Sequence, residues 1–99
     1  MHSGLSQAVF EKICQALKKN PKLKKVYLFG SRAMGRHKPG SDIDLAVDGI
    51  ELSFDDILSM RLDLDRLMLP YKFDIVNYAE ADPALLEHIK RVGVEIIHL

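Results

Sequence analysis

The chain has one cysteine, no tryptophan, four prolines and six glycines in 99 residues. A single thiol, Cys14, excludes an internal disulfide and argues against a cysteine-based zinc site. No apolar run approaches the length of a bilayer span, and the first residues lack a charged start followed by an apolar signal core. The expectation is a cytoplasmic protein with no membrane segment. An excess of either charge is missing too: 14 basic residues stand against 14 acidic ones. General nucleic-acid binding needs a positive surplus, so direct binding of that kind is not expected. The composition, 47% hydrophobic and 28% charged, is that of a globular chain. Its length fits one domain, residues 1–99, with one modest core. A large enclosed substrate pocket would strain so small a core. Anything bulky it acts on needs another chain to complete the site.

What charge there is lies segregated. Lys18 to Lys38 contains lysines and arginines and no acid, whereas Asp42 to Asp65 holds eight acids. A basic loop beside an acidic cluster suits a site that holds phosphates and metal together. Lys18, Lys19, Lys22, Lys24 and Lys25 read more simply, as solvated cations near a helix C-terminus. Cys14 falls on the apolar face of the first helix and reads as packing.

Apolar spacing predicts a helix from about Ser6 to Lys19, through Val9, Phe10, Ile13, Cys14 and Leu17, stopped by Asn20-Pro21. "KVYLF", Lys25 to Phe29, reads as a buried strand ending at Gly30. "DIDLAVD", Asp42 to Asp48, alternates: Ile43, Leu45 and Val47 on one face, Asp42, Asp44 and Ala46 on the other. Ser53 to Leu69 fits both a strand alternation and a helical repeat. Its length, the capping-box spacing of Ser53 and Asp56, and Pro70 as a stop favour a helix. Tyr71 to Tyr78 is a third strand. Asp82 as cap, Pro83 at the first position and Gly93 as the end bracket a last helix, Ala84 to Val92. Val94 to Leu99 closes a fourth strand. The fold class is therefore α/β (α+β), one sheet of about four strands with helices packed against it.

Three of the six glycines fall in "GSRAMGRHKPGSDIDLAV", Gly30 to Val47. The run begins like a Walker A loop, but Arg36 and His37 replace its Lys and Ser/Thr, so it is not one. Gly30 and Ser31 directly after a strand still offer backbone N–H groups and a hydroxyl to phosphate. An ordinary turn with Ser31 as a helix cap is the plain alternative. Asp42 and Asp44, spaced i, i+2 on a strand, project from one face and can grip a single cation. Without a cation they would repel each other, and magnesium prefers such oxygen ligands, completed by waters and phosphates. Asp63 and Asp65 share that spacing, but on a helix they point roughly 200° apart and cannot chelate.

Gly30-Ser31, ten residues, then Asp42-Ile43-Asp44 resembles the signature of the DNA polymerase β-like nucleotidyltransferases. The whole run most resembles their minimal branch, stand-alone prokaryotic proteins of about this size. The resemblance implies a mixed sheet on which the Gly30-Ser31 turn holds the β,γ-phosphates of ATP and the paired aspartates bind magnesium, as two ions. It also implies a third carboxylate on a neighbouring strand, and Asp74 matches that position. Asp74 reads as mid-strand in apolar "KFDIV", where a lone charge is costly unless paired or metal-bound; an edge-strand aspartate facing water is the plain alternative. The catalytic and metal set is then Asp42, Asp44 and Asp74; the nucleotide-binding set is Gly30, Ser31, Arg32 and Ser41. Arg36, His37 and Lys38 are further cations for the triphosphate, and Pro39 and Gly40 shape the loop. His2, His88 and His98 read as surface residues.

The resemblance implies an activity as well: transfer of AMP from ATP to a hydroxyl. Minimal nucleotidyltransferases are commonly encoded beside a helical HEPN-class ribonuclease toxin, and act as its antitoxin by adding AMP to a tyrosine. Neutralisation by binding alone, and modification of a small aminoglycoside-like molecule, are the alternatives.

Overall fold

The computed structural model describes residues 4–36, 38 and 40–99. His2, His37 and Pro39 lie outside the described residues, and with them the expectations of a surface histidine, a phosphate cation and a loop-shaping proline.

Helix α1 (Gln7–Leu17) starts at Ser6, whose hydroxyl accepts the Val9 N–H at 3.2 Å. That hydroxyl satisfies one of the amides a helix start leaves without a partner. Its inner face buries Ile13, Cys14, Ala16 and Leu17, and burial pushes the Cys14 thiol above its ordinary range. The helix ends before the predicted Lys19. Strand β1 (Leu23–Phe29) begins earlier than "KVYLF" because Leu23 already pairs with Gly49. A short helix α2 (Gly30–Ala33) follows it without a break. Strand β2 (Ile43–Gly49) pairs antiparallel with β1, and β3 (Phe73–Asn77) pairs parallel with β2. Strand β4 (Val94–His98) flanks β1, so the sheet is mixed, in the order β3-β2-β1-β4.

The segment with two competing periodicities is a helix, α3 (Phe54–Asp65). Ser53 and Asp56 form the predicted capping box: the Ser53 hydroxyl accepts the Asp56 N–H at 3.1 Å, and Asp56 accepts the Ser53 N–H at 2.8 Å. The helix stops short of Leu69. The chain leaves it at Arg66 and turns through Met68 at a φ of 56°, so Pro70 is not what ends it. Helix α4 (Pro83–Val92) has the predicted cap, Asp82 accepting the Leu85 N–H at 2.8 Å, and ends at Gly93. Gly93 is not left-handed, with φ at −65°; a Cβ there would instead overlap the Ile89 carbonyl oxygen.

Lys22 is more than a solvated cation. It pairs with Asp56, and its ammonium donates to the Glu51 carbonyl at 3.2 Å, while the Asn20 amide reaches Asp56 at 3.1 Å. Together they tie the α1–β1 turn to the start of α3, and they hold the Asp56 carboxyl below its ordinary range.

Strand alternation gives the sheet two unequal faces. Val26, Leu28, Ile43, Leu45 and Val47 point into the main core with α1 and α3 residues such as Leu17, Met60 and Leu64. Phe29, Ala46 and Ile89 form a smaller cluster under α4, with Tyr27, Val76 and Tyr78 at its margin. Tyr27 and Tyr78 stack there with ring centroids 5.2 Å apart. Among the described residues no helix is long and apolar enough to cross a membrane.

Candidate active site

Asp44 belongs to the α4 face, being two positions from Ala46 on β2. It lies near one end of β2, where two register pairs meet. Across β1 it faces Phe29, the residue before Gly30; across β3 it faces Asp74. Paired residues of neighbouring strands share a face, so Asp44 and Asp74 stand side by side.

Two expectations about these aspartates need correction. Strand β2 begins at Ile43, so Asp42 sits just ahead of the strand rather than in it, and is exposed. Asp74 is the second residue of an edge strand and is exposed. The cost of a buried charge does not apply to it. What places it at the site is its register with Asp44, which sequence cannot give.

The turn between β1 and α2 is built against the same carboxylate. Gly30 has a φ of 74°, in the left-handed region, and a Cβ on it would overlap Asp44 Oδ2. Only glycine serves both needs. Ser31 lies inside α2, and the cap position is Phe29, which makes no side-chain cap. The reading of Ser31 as a helix cap is therefore set aside. No bond is formed by its hydroxyl among the described residues. The first amides of α2, like those of any helix start, have no intrahelical acceptor.

Asp44 is held above the usual carboxylate range, first by burial, then by the charges of Asp74 and Asp42, with His88 acting in the opposite sense. Crowded anionic oxygens are the donor set a hard divalent cation takes, and a cation there would relieve the repulsion. Among the described residues no three carboxylate, imidazole or thiol groups form a finished cation site. Magnesium commonly takes one or two carboxylates and completes its shell with waters and substrate phosphates, so the residues fit it on those terms.

Arg32 has partners within the fold. It is 3% exposed, and its Nε and Nη2 donate to the Ser41 carbonyl at 3.1 and 2.9 Å, with the guanidinium 5.1 Å from the centre of the Tyr71 ring. In this arrangement it binds the far end of the glycine loop to α2. Ser41 holds the loop as well, its hydroxyl accepting the Lys38 N–H at 2.7 Å. Arg36 and Lys38 are exposed upon the loop.

His88, expected on the surface, is half-buried, its ring edge-on to Phe29 with centroids 6.2 Å apart. It is three positions beyond Leu85 and one before Ile89, the buried residue of α4. Its place on the inner side of α4 was legible from that spacing. His98 is on the surface and pairs with Glu95. Asp63 and Asp65 lie on α3, where Asp63 accepts from Arg66 at 3.1 Å, so the second DxD is no chelate.

The mixed sheet thus sets a left-handed glycine turn against in-register carboxylates at one strand end. The sequence profile described as "Polymerase beta, Nucleotidyltransferase" matches residues 11–98, and the chain belongs to that family. A search of curated proteins finds no match. Among solved structures, a toxin–antitoxin complex with AMP-PNP contains a chain 28% identical, with a TM-score of 0.78 over 91% of this chain and 73% of that one. A tri-AMPylated Shewanella oneidensis HEPN toxin in complex with an MNT antitoxin gives 25% identity and a TM-score of 0.75, over 96% and 74%. A protein described as a minimal nucleotidyltransferase gives 27% and 0.73, covering 95% of both chains. The relatives thus include antitoxins of HEPN–MNT pairs, one of them with an AMPylated toxin.

Proposed function

We propose that this chain transfers AMP from ATP to a hydroxyl of a partner protein, a tyrosine of a HEPN-class toxin, and so acts as its antitoxin. The observation that carries the reading is the register of Asp44 with Asp74, set against the left-handed Gly30. Asp44 is crowded and suited to a cation; Asp74 beside it is exposed and open to an incoming hydroxyl.

In this reading the N–H groups of the Gly30-Ser31 turn and the Ser31 hydroxyl hold the β,γ-phosphates. Asp42 and Asp44, with Asp74, would hold magnesium, which when bound supplies charge to offset that building up on the phosphate oxygens. Asp74, open to solvent on the edge strand, takes the proton from the attacking hydroxyl. A bond forms from that oxygen to the α-phosphorus, the bond from the α-phosphorus to the bridging oxygen breaks, and pyrophosphate leaves. Phe29 and His88 wall the site from the α4 side.

The neighbours with AMP-PNP and with an AMPylated toxin support both the nucleotide and the acceptor. The test is to incubate the chain with ATP, magnesium and the protein encoded beside it, and weigh the products. A mass gain of one AMP on a partner tyrosine is expected, and none with Asp44→Asn. Full neutralisation of a toxic partner by an Asp42, Asp44 and Asp74 triple variant would favour neutralisation by binding.

A further inference from the structure

Helix α3 is apolar on two sides. Met60 and Leu64 face the main core, while Phe54, Leu58 and Leu62 recur every fourth residue and are 79%, 42% and 45% exposed. Residues at that spacing form a stripe along one side of a helix, and a helix apolar on its outer side as well calls for a second cover. Beside the stripe runs a groove of about 430 Å³ between α3 and β3, lined by Phe54, Ile57, Leu58, Arg61, Ile75 and Glu80.

The groove adjoins the candidate site. Ile75 and Asp74 are consecutive residues of β3, an edge strand, and alternation places them on opposite faces. A chain seated in the groove has only to cross that edge to reach the Asp74 carboxylate. Glu80 and Arg61 line the groove, and the helix adds two acids beside the stripe: Asp55 follows Phe54 and Asp65 is one turn beyond Arg61, and Asp55, Asp65 and Glu80 are all exposed.

We propose that the α3 stripe and its groove dock the acceptor protein, through a helix whose apolar face is flanked by lysine or arginine, and that docking brings its hydroxyl over the β3 edge to Asp74. The proposal rests on the transfer to a protein hydroxyl argued above. Charge selects this occupant over a second copy of the chain. A two-fold contact through the same patch would bring three acids and one arginine from each copy together, and that surplus of like charge opposes association.

Phe54→Asp and Leu58→Asp test it, since both side chains are exposed and neither belongs to the site. Calorimetry with the purified protein encoded beside this chain should show affinity lowered about thirtyfold or more in each variant. ATP affinity in magnesium should be unchanged, and excess partner should restore the transfer rate. Undiminished partner affinity in both variants overturns the proposal and leaves the transfer reading standing. Partner binding by the wild-type chain that the variants lose, with no transfer by any of them, leaves the docking surface standing and removes the transfer reading. A wild-type dimer in sedimentation that the variants dissolve, or no wild-type binding to the partner, overturns the assigned occupant.

Discussion

Gly30 and Asp44 occupy touching space: a Cβ on Gly30 would overlap Asp44 Oδ2 and stand 3.1 Å from its Cγ. The Gly30-Ser31 turn and the crowded carboxylate are therefore one structural unit. Gly30→Ala should lose stability twice over, through the left-handed φ of 74° and through the overlap, by about 1–3 kcal/mol in all. In Gly30→Ala with Asp44→Ala the overlap disappears, and the two costs should fall short of additivity by about 0.5 kcal/mol or more. Chemical denaturation of the four proteins gives the cycle. Strict additivity would mean that the two residues do not bear on each other.

A second expectation concerns pH. Asp44 is raised on folding, so the folded chain holds that proton more tightly than the unfolded one, and stability falls as pH rises above the ordinary aspartate range. With magnesium chelated, Asp44→Asn should melt at or above the wild-type temperature at pH 7, the difference closing at acid pH where both are uncharged. With magnesium and ATP the order reverses, because the wild type gains more from ligand. ATP affinity of the variant should be lower by about tenfold or more. A variant that melts lower in chelator at pH 7 would show that Asp44 is not crowded.

Arg32 separates scaffold from ligand. Arg32→Ala leaves the Ser41 carbonyl without two donors and Tyr71 without its cation, at a cost of about 2–4 kcal/mol. Thermal melting of the free protein should report that loss. Reduced ATP affinity with an unchanged melting temperature would return Arg32 to the nucleotide.

The two aspartates of α3 serve as an internal control. Asp63→Asn with Asp65→Asn should leave AMP transfer unchanged and cost at most about 0.5 kcal/mol, the worth of the exposed Asp63–Arg66 pair. Collapse of transfer without unfolding would place the site elsewhere.

What sequence could show here was local. The caps at Ser53 and Asp82, the helix through the ambiguous Leu58–Leu64 stretch and the Gly30-Ser31 turn all follow from short-range spacing. Asp74 was found by its match to a family pattern, but the physical reason offered for it, burial, was mistaken. Its place depends on the parallel register of β2 with β3, set by contacts between distant segments. His88 was misread as a surface residue, although its spacing from Leu85 and Ile89 marks the inner side of α4. The packing of Arg32 on Tyr71, by contrast, joins segments distant in sequence and could not be read locally.

The most direct measurement follows the two ends of ATP. The chain, magnesium and its co-purified partner are incubated with ATP labelled at either the α- or the γ-phosphate, and the partner is counted after denaturing separation. Attack at the α-phosphorus predicts that the partner acquires the α-label, that the γ-label leaves as pyrophosphate, and that Asp44→Asn gives neither. Acquisition of the γ-label would mean phosphoryl transfer. No label on a bound and neutralised partner would mean that this carboxylate cluster does not transfer AMP to it.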